Sequence, residues 1–259
     1  MEVMTLPPTE LVSVLQGCVG AAYLATAVLA LVWPHGVPRA RALVTGALVL
    51  HAGLIGWRWL AQQQAPLVTR YEDFTLDALA VAGVYLLLAW RGTALARSAA
   101  PMLLAAGALT LGALAHSQEH YPLSPALRIV WLKIHAPLNS LSIALASLCA
   151  ALALTGGAIH THLCTRLLWW TTLLWSAMVA TGAYWAYLAW GRFWGWDPIE
   201  SWSLATALAY AAVCHLTLKP VWSAQRICRL ALLPYVMMLF TTYGLLLVKS
   251  SIHGQYLFQ

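Results

Sequence analysis

Apolar residues in this chain do not mix evenly with polar ones. They come in long runs, near residues 11–33, 42–60, 74–90, 99–115, 134–155, 167–190, 201–218 and 230–248, separated by clusters of charged residues, Pro and Gly. A bilayer's hydrocarbon core needs about 20 consecutive apolar residues to be crossed as a helix, and runs of roughly 18–25 residues fit that length. A helix satisfies all of its backbone hydrogen bonds within one segment, which a span in lipid requires. The pattern therefore predicts an all-α, polytopic membrane helix bundle of about eight transmembrane helices, with residues 1–259 forming a single membrane domain.

Composition supports this solvent. Hydrophobic residues make up 61% of the chain and charged residues 8%, against about 25% charged in a soluble globular domain. The first run, Leu11 to Trp33, is too long for the core of a cleavable signal and has no basic residue before it, so it reads as a retained membrane helix. The formal net charge of +6 comes from basic residues scattered singly and in pairs, which argues against nucleic acid as a partner. No two of the five cysteines have the Cys-x-x-Cys spacing. That excludes a thiol-exchange site and covalent haem of the c type on this chain.

Eight spans place both termini on one side and divide the loops into two sets. One set holds Arg39, Arg41, Arg91, Arg97, Arg166, Lys219, Arg226 and Arg229 and no acid, whereas all eight acids lie on the other side. Positively charged loops favour the cytoplasm, so the acid-free set is expected inside and both termini external. Cys149, Cys164, Cys214 and Cys228 then lie near the cytoplasmic side, where thiols stay reduced.

On the external side the chain places Trp185, Trp190, Trp194, Trp196 and Trp202 within eighteen residues. An aromatic belt at the headgroup level accounts for any one of them. A belt needs no fixed motif, however, and here the order is Trp-Gly-Arg-Phe-Trp-Gly-Trp-Asp-Pro-Ile-Glu-Ser-Trp from Trp190 to Trp202. Flat indoles beside Gly191 and Gly195, which allow close backbone approach, suit the face of a large planar ligand such as a porphyrin. The stretch 185–202 is thus a candidate external haem platform. Asp197 and Glu200 resemble a catalytic carboxylate pair, yet Asp197-Pro198-Ile199-Glu200 also reads as a helix start with reciprocal caps, and that structural reading is favoured.

Nine histidines occur in this apolar chain, and a polar group in lipid needs a partner. His135 stands at the external mouth of the fifth run and His253 just past the eighth, close to Lys249. Two imidazoles converging on an aromatic platform supply both axial bonds of a haem iron; each alone is an ordinary loop histidine. His215 lies fifteen residues beyond Glu200, about 22 Å along a helix at 1.5 Å per residue, and is a candidate for a deeper ligand. His51, within the second run, is either another intramembrane ligand or a partner for a neighbouring helix.

The turn from Trp190 to Trp202 resembles the WWD signature of haem-handling proteins of cytochrome c biogenesis. Other residues resemble the CcsA-type (ResC-type) branch, System II of that process: Arg58-Trp59-Leu60, Ala65-Pro66-Leu67 and Tyr71-Glu72 before the third span, His135 before the WWD turn, His253 after it, and His215 at the branch's membrane-embedded histidine. The resemblance runs from about residue 57 to 254. Six-span CcmC-type and much larger CcmF-type proteins fit less well.

This resemblance implies haem b as the bound cofactor, held by His135 and His253 against Trp190, Trp194, Trp196 and Trp202, with Gly191, Gly195 and Asp197 shaping the turn and His215 on the inward route. It implies an apocytochrome c offering a Cys-x-x-Cys-His segment for thioether formation and a CcsB/ResB-type membrane partner, making the chain a component of a holocytochrome c synthase (haem lyase). No acid or base side chain need be catalytic. The implied location is the bacterial cytoplasmic membrane, with the active face external. Two alternatives stand beside it: a membrane cytochrome b-type electron-transfer subunit using His51 and His215, and a haem exporter that performs no ligation.

Overall fold

The computed structural model describes residues 9–32, 37–90, 98–119, 124–155 and 161–245. Among these residues every regular element is helical, and the chain divides into two compact units, residues 1–120 and 121–259. Each of the eight apolar runs coincides with a helix or, for the last, with a broken helical segment.

The first unit contains α1 (Thr9–Val32), α2 (Val37–Gln62), α3 (Arg70–Ala89) and α4 (Ala99–Ala113). Its interior is built largely from small residues such as Ala27, Ala78, Ala82, Ala100 and Ala106, around Tyr23, Tyr85 and Met102. Small side chains let backbones approach, which is how helices gain packing energy where water supplies no drive between them. The α2–α3 connection is tied down by charge. Arg58 Nε donates to Glu72 Oε1 at 2.8 Å, and Arg58 Nη1 to the Gln118 carbonyl at 2.9 Å. Glu72 Oε2 accepts from the amides of Val68 and Thr69, while Thr69 Oγ1 accepts from the Glu72 amide. That Thr-x-x-Glu reciprocity is a capping box and explains why α3 begins at Arg70.

The second unit contains a short 3-10 turn (Pro125–Arg128), then α5 (Leu132–Thr155), α6 (Thr161–Trp190), α7 (Pro198–Leu216), α8 (Ala224–Leu230) and α9 (Leu232–Leu239), with a π-helical turn over Phe240–Gly244. Polar pairs fix the register of its helices: Ser147 Oγ lies 3.0 Å from Tyr235 Oη, linking α5 to α9, and Thr206 Oγ1 lies 3.2 Å from Thr241 Oγ1, linking α7 to the π turn. The thiols of Cys149 and Cys164 meet at 3.3 Å between sulfurs, linking α5 to α6 as a thiol–thiol hydrogen bond.

By length and composition four segments can cross a membrane: Thr9–Val32, Arg41–Gln62, Leu132–Thr155 and Ala224–Gly244. The remaining runs are shorter, as α4 is at 15 residues, or more polar. The first turn of α3 carries Glu72 and Asp73, and α6 and α7 are rich in Trp, Tyr, Ser and Thr.

Candidate functional site

The Trp-rich turn is shaped by the start of α7. Asp197 Oδ1 accepts from the Ile199 amide at 2.9 Å, and Glu200 Oε2 accepts from the amides of Gly195 at 2.7 Å and Asp197 at 3.2 Å. The two acids therefore form a capping box with Pro198 in the first turn. Both carboxylates are occupied with backbone, and the stabilisation of a capped N-terminus by its side chains is about 1 kcal/mol.

Backward from that anchor the chain is contorted. Gly191 has φ 75°, which glycine adopts without penalty. Trp196 has φ 57°, a conformation costing a bulky residue of order 1–3 kcal/mol and found where a site demands it. The outcome is an indole 73% exposed, set edge-on to Trp194 at 6.2 Å between centroids. Trp194 Nε1 is buried with no acceptor among the described residues. At Gly195 the space beside the backbone is filled by the Arg192 guanidinium, 2.7 Å from where a Cβ would stand. Trp202, one turn into α7, is partly exposed and meets Phe240 edge-on at 4.8 Å.

His135 lies in the first turns of α5 and its ring leans onto α6. Its Nδ1 lies 2.8 Å from the Met178 carbonyl, so Nδ1 carries the proton and the lone pair is on Nε2. The ring runs nearly parallel to Trp185, with centroids 6.4 Å apart and an 18° interplanar angle. Trp185 in turn meets Trp190 edge-on at 4.9 Å and donates from Nε1 to the Ala126 carbonyl at 2.9 Å. Through Trp185, then, His135 is joined to the first tryptophan of the WWD turn. An aromatic flank, Tyr187 stacked on Phe193 at 4.4 Å and 5°, continues the same surface.

Other predicted residues stand elsewhere. His215 occupies the last turn of α7, exposed and remote from the turn that α7 begins with. His51 belongs to the first unit and is fully buried, with Gln16 Nε2 at 3.5 Å from one ring nitrogen and Tyr23 Oη at 3.4 Å from the other. That is the helix-partner option for His51. His253 lies outside the described residues. Sequence reasoning passed over Met178 and Gly182, the two α6 positions against which the His135 ring rests. The available signal was a lone Gly inside an otherwise strong helix, three residues before Trp185.

The residues present fit haem on two counts: a buried indole N–H at Trp194 with no acceptor among the described residues, and an imidazole anchored through Nδ1 on a backbone carbonyl. Among the described residues no group of three or more His, Cys, Asp or Glu side chains is placed to hold a metal ion by itself.

Comparison with known proteins follows the same lines. Residues 67–253 match the family described as cytochrome C assembly protein. Relatives include the cytochrome c biogenesis proteins CcsA of Chlamydomonas reinhardtii, 26% identical over 84% of this chain and 68% of its own length, and of Parasynechococcus marenigrum (strain WH8102), 28% identical over 84% of each. CcsA of Synechococcus sp. (strain CC9311) is 30% identical over 71% of this chain and 76% of its own length. The fold is shared with the solved cytochrome c haem lyase CcmF, with a TM-score of 0.68 and 19% identity over 94% of this chain and 48% of that one, so the chain spans about half the length of that protein. With more than half of its length inside the family's boundaries, the chain belongs to the cytochrome c assembly protein family, in its CcsA-type branch.

Proposed function

We propose that this chain works in cytochrome c biogenesis by binding haem b on the external face of a bacterial cytoplasmic membrane and orienting it for attachment to an apocytochrome c. The observation that carries the reading is the continuous path from His135 through Trp185 to Trp190 and the WWD turn within one unit. His135 would hold the haem iron through Nε2, with Nδ1 anchored on the Met178 carbonyl; carbonyl-anchored imidazoles of this kind are the usual ligand arrangement. His253 would be the second ligand, and Trp190, Trp194, Trp196 and Trp202 would flank the ring, with Gly191 leaving open space beside the backbone, Gly195 seating the Arg192 guanidinium and Asp197 fixing the departure of α7.

Haem brings the iron and two vinyl groups, to which the thiols of a Cys-x-x-Cys-His segment add. The chain's own residues bind, orient and exclude water. Eight spans with both termini external put the platform and both histidines on one face, and His215, on the far end of α7, stands on the inward route. A CcsB/ResB-type partner completes a synthase. The cytochrome b alternative is weakened by His51, whose two ring nitrogens both face protein groups. The exporter alternative uses the same site and differs in whether a covalent product forms.

The test is to purify the protein, record its haem spectrum, and co-express it with a Cys-x-x-Cys-His reporter and a CcsB-type partner. Replacing His135 or His253 by Ala should abolish the six-coordinate low-spin spectrum and the covalent product, and added imidazole should restore the spectrum. Retention of that spectrum in the double replacement overturns the site. Intact haem binding with no covalent product under any condition favours the exporter.

A further inference from the structure

Met178, Gly182 and Trp185 stand four and three residues apart on α6, which places them on one face of the helix. All three touch the His135 ring. The Met178 carbonyl accepts its Nδ1 proton at 2.8 Å, and Trp185 lies nearly parallel to it. Between them Gly182 leaves a notch: a Cβ there would stand 2.7 Å from His135 Cε1 and 2.9 Å from Nδ1, and the three nearest atoms to that point all belong to the same ring. Among the described helical glycines Gly46, Gly53 and Gly83 have nothing within 4 Å of an added Cβ, whereas Gly20, Gly107 and Gly112 meet aliphatic or phenyl side chains, and Gly182 meets an imidazole. A glycine inside a helix costs about 1 kcal/mol relative to Ala, so a close approach here has a reason to be kept.

We infer that Gly182 is a positioning residue for the haem ligand His135. Its missing side chain lets the imidazole seat on α6 at the depth where Nδ1 reaches the Met178 carbonyl. The Met178 carbonyl is held in turn, since it also accepts from Thr181 Oγ1 at 3.0 Å. Any side chain at 182 pushes the ring off that carbonyl and turns Nε2 away from its axis. Displacements of about 1 Å at a ligand can cost about 100-fold, and loss of a ligand's supporting contact typically costs about 10–100-fold in metal affinity. The inference rests on the proposed haem site, and its test separates the two.

Gly182→Ala, His135→Ala and the control Gly46→Ala are compared as purified full-length protein by haem titration, optical and EPR spectra, and midpoint potential. The expected result is wild-type behaviour for Gly46→Ala and loss of the low-spin signal in His135→Ala. Gly182→Ala should bind about 10–100-fold more weakly, with a changed low-spin signal and a shifted potential, and added imidazole should restore low-spin haem. Wild-type affinity, spectrum and potential in Gly182→Ala, alongside loss in His135→Ala, overturn the inference and leave the site standing. An unchanged spectrum in His135→Ala overturns the site and the inference with it. If Gly182→Ala does not accumulate, the variant carrying both His135→Ala and Gly182→Ala decides. Accumulation equal to that of His135→Ala shows that the ring was the obstacle, and continued failure overturns the inference.

Discussion

Single residues carry several consequences that can be measured. Arg58 and Glu72 form an ion pair that is almost wholly buried, and removing one member of such a pair costs about 3–5 kcal/mol because the other charge is left unpaired. Glu72→Ala should therefore lower the thermal unfolding midpoint far more than a surface change does, and Glu72→Gln, which keeps an acceptor for the Val68 and Thr69 amides, should lower it less. Asp73 stands at the mouth of α3, outside the apolar run 74–90. Burial pushes its carboxyl up to about 7; Asp77 and Glu72 push the same way and Arg70 opposes them. A carboxyl whose folded value exceeds its unfolded one destabilises the charged form, so its penalty is absent below about pH 4 and complete above about pH 7. Asp73→Asn should therefore raise stability more at pH 8 than at pH 4, and equal effects at the two pH values would refute the assignment. Trp196 adds a different case. Replacing it by Gly relieves the positive φ, so stability should rise by about 1 kcal/mol while haem affinity falls. Some of this was readable in advance: His135 and the tryptophans stood out because imidazole and indole are costly and conspicuous in an apolar chain. The Arg58–Glu72 pair and the Gly182 notch were not readable, because each depends on two residues meeting across different helices.

Elements follow their local chemistry closely. The chain uses the same device to start α3 and α7: Thr69-x-x-Glu72 and Asp197-x-x-Glu200 both close capping boxes. Both were legible as spacing, though the first was recognised only as a family segment. The second also settles what its acids do. Glu200 spends one oxygen on two backbone amides, which fixes the turn ahead of α7. Asp197→Ala should cost about 1 kcal/mol, and Glu200→Ala should cost more, since two buried N–H groups lose their acceptor. Amide hydrogen exchange at residues 195–199 should accelerate in both variants. The broken end of the chain was less legible. Over residues 230–245 the last apolar run is the end of α8, then α9 and a π turn rather than one regular helix: Pro234 has no amide hydrogen to bond the Leu230 carbonyl at the break, and Thr241 meets Thr206 at the π turn.

For the whole molecule, charge and apolar length lead to a topology that labelling can check. With Cys18 replaced by Ala, a membrane-impermeant maleimide applied to intact cells should label Gln64→Cys and spare Lys219→Cys, and only disruption of the membrane should expose the latter. Reversed labelling would invert the assigned faces and move the Trp-rich turn to the cytoplasm. The amino-acid sequence by itself determined that the chain is an apolar helical protein with membrane-length runs, where each run lies, and that it belongs with the cytochrome c assembly proteins. These are one-dimensional properties, since hydrocarbon length and residue type are read along the chain. Tertiary structure decided the rest: which histidine leans on which helix, which ring nitrogen of His135 meets the Met178 carbonyl, and that Asp197 and Glu200 cap α7. Those outcomes depend on ångström-scale contacts between segments dozens of residues apart, and no pattern along a single chain encodes a distance across it.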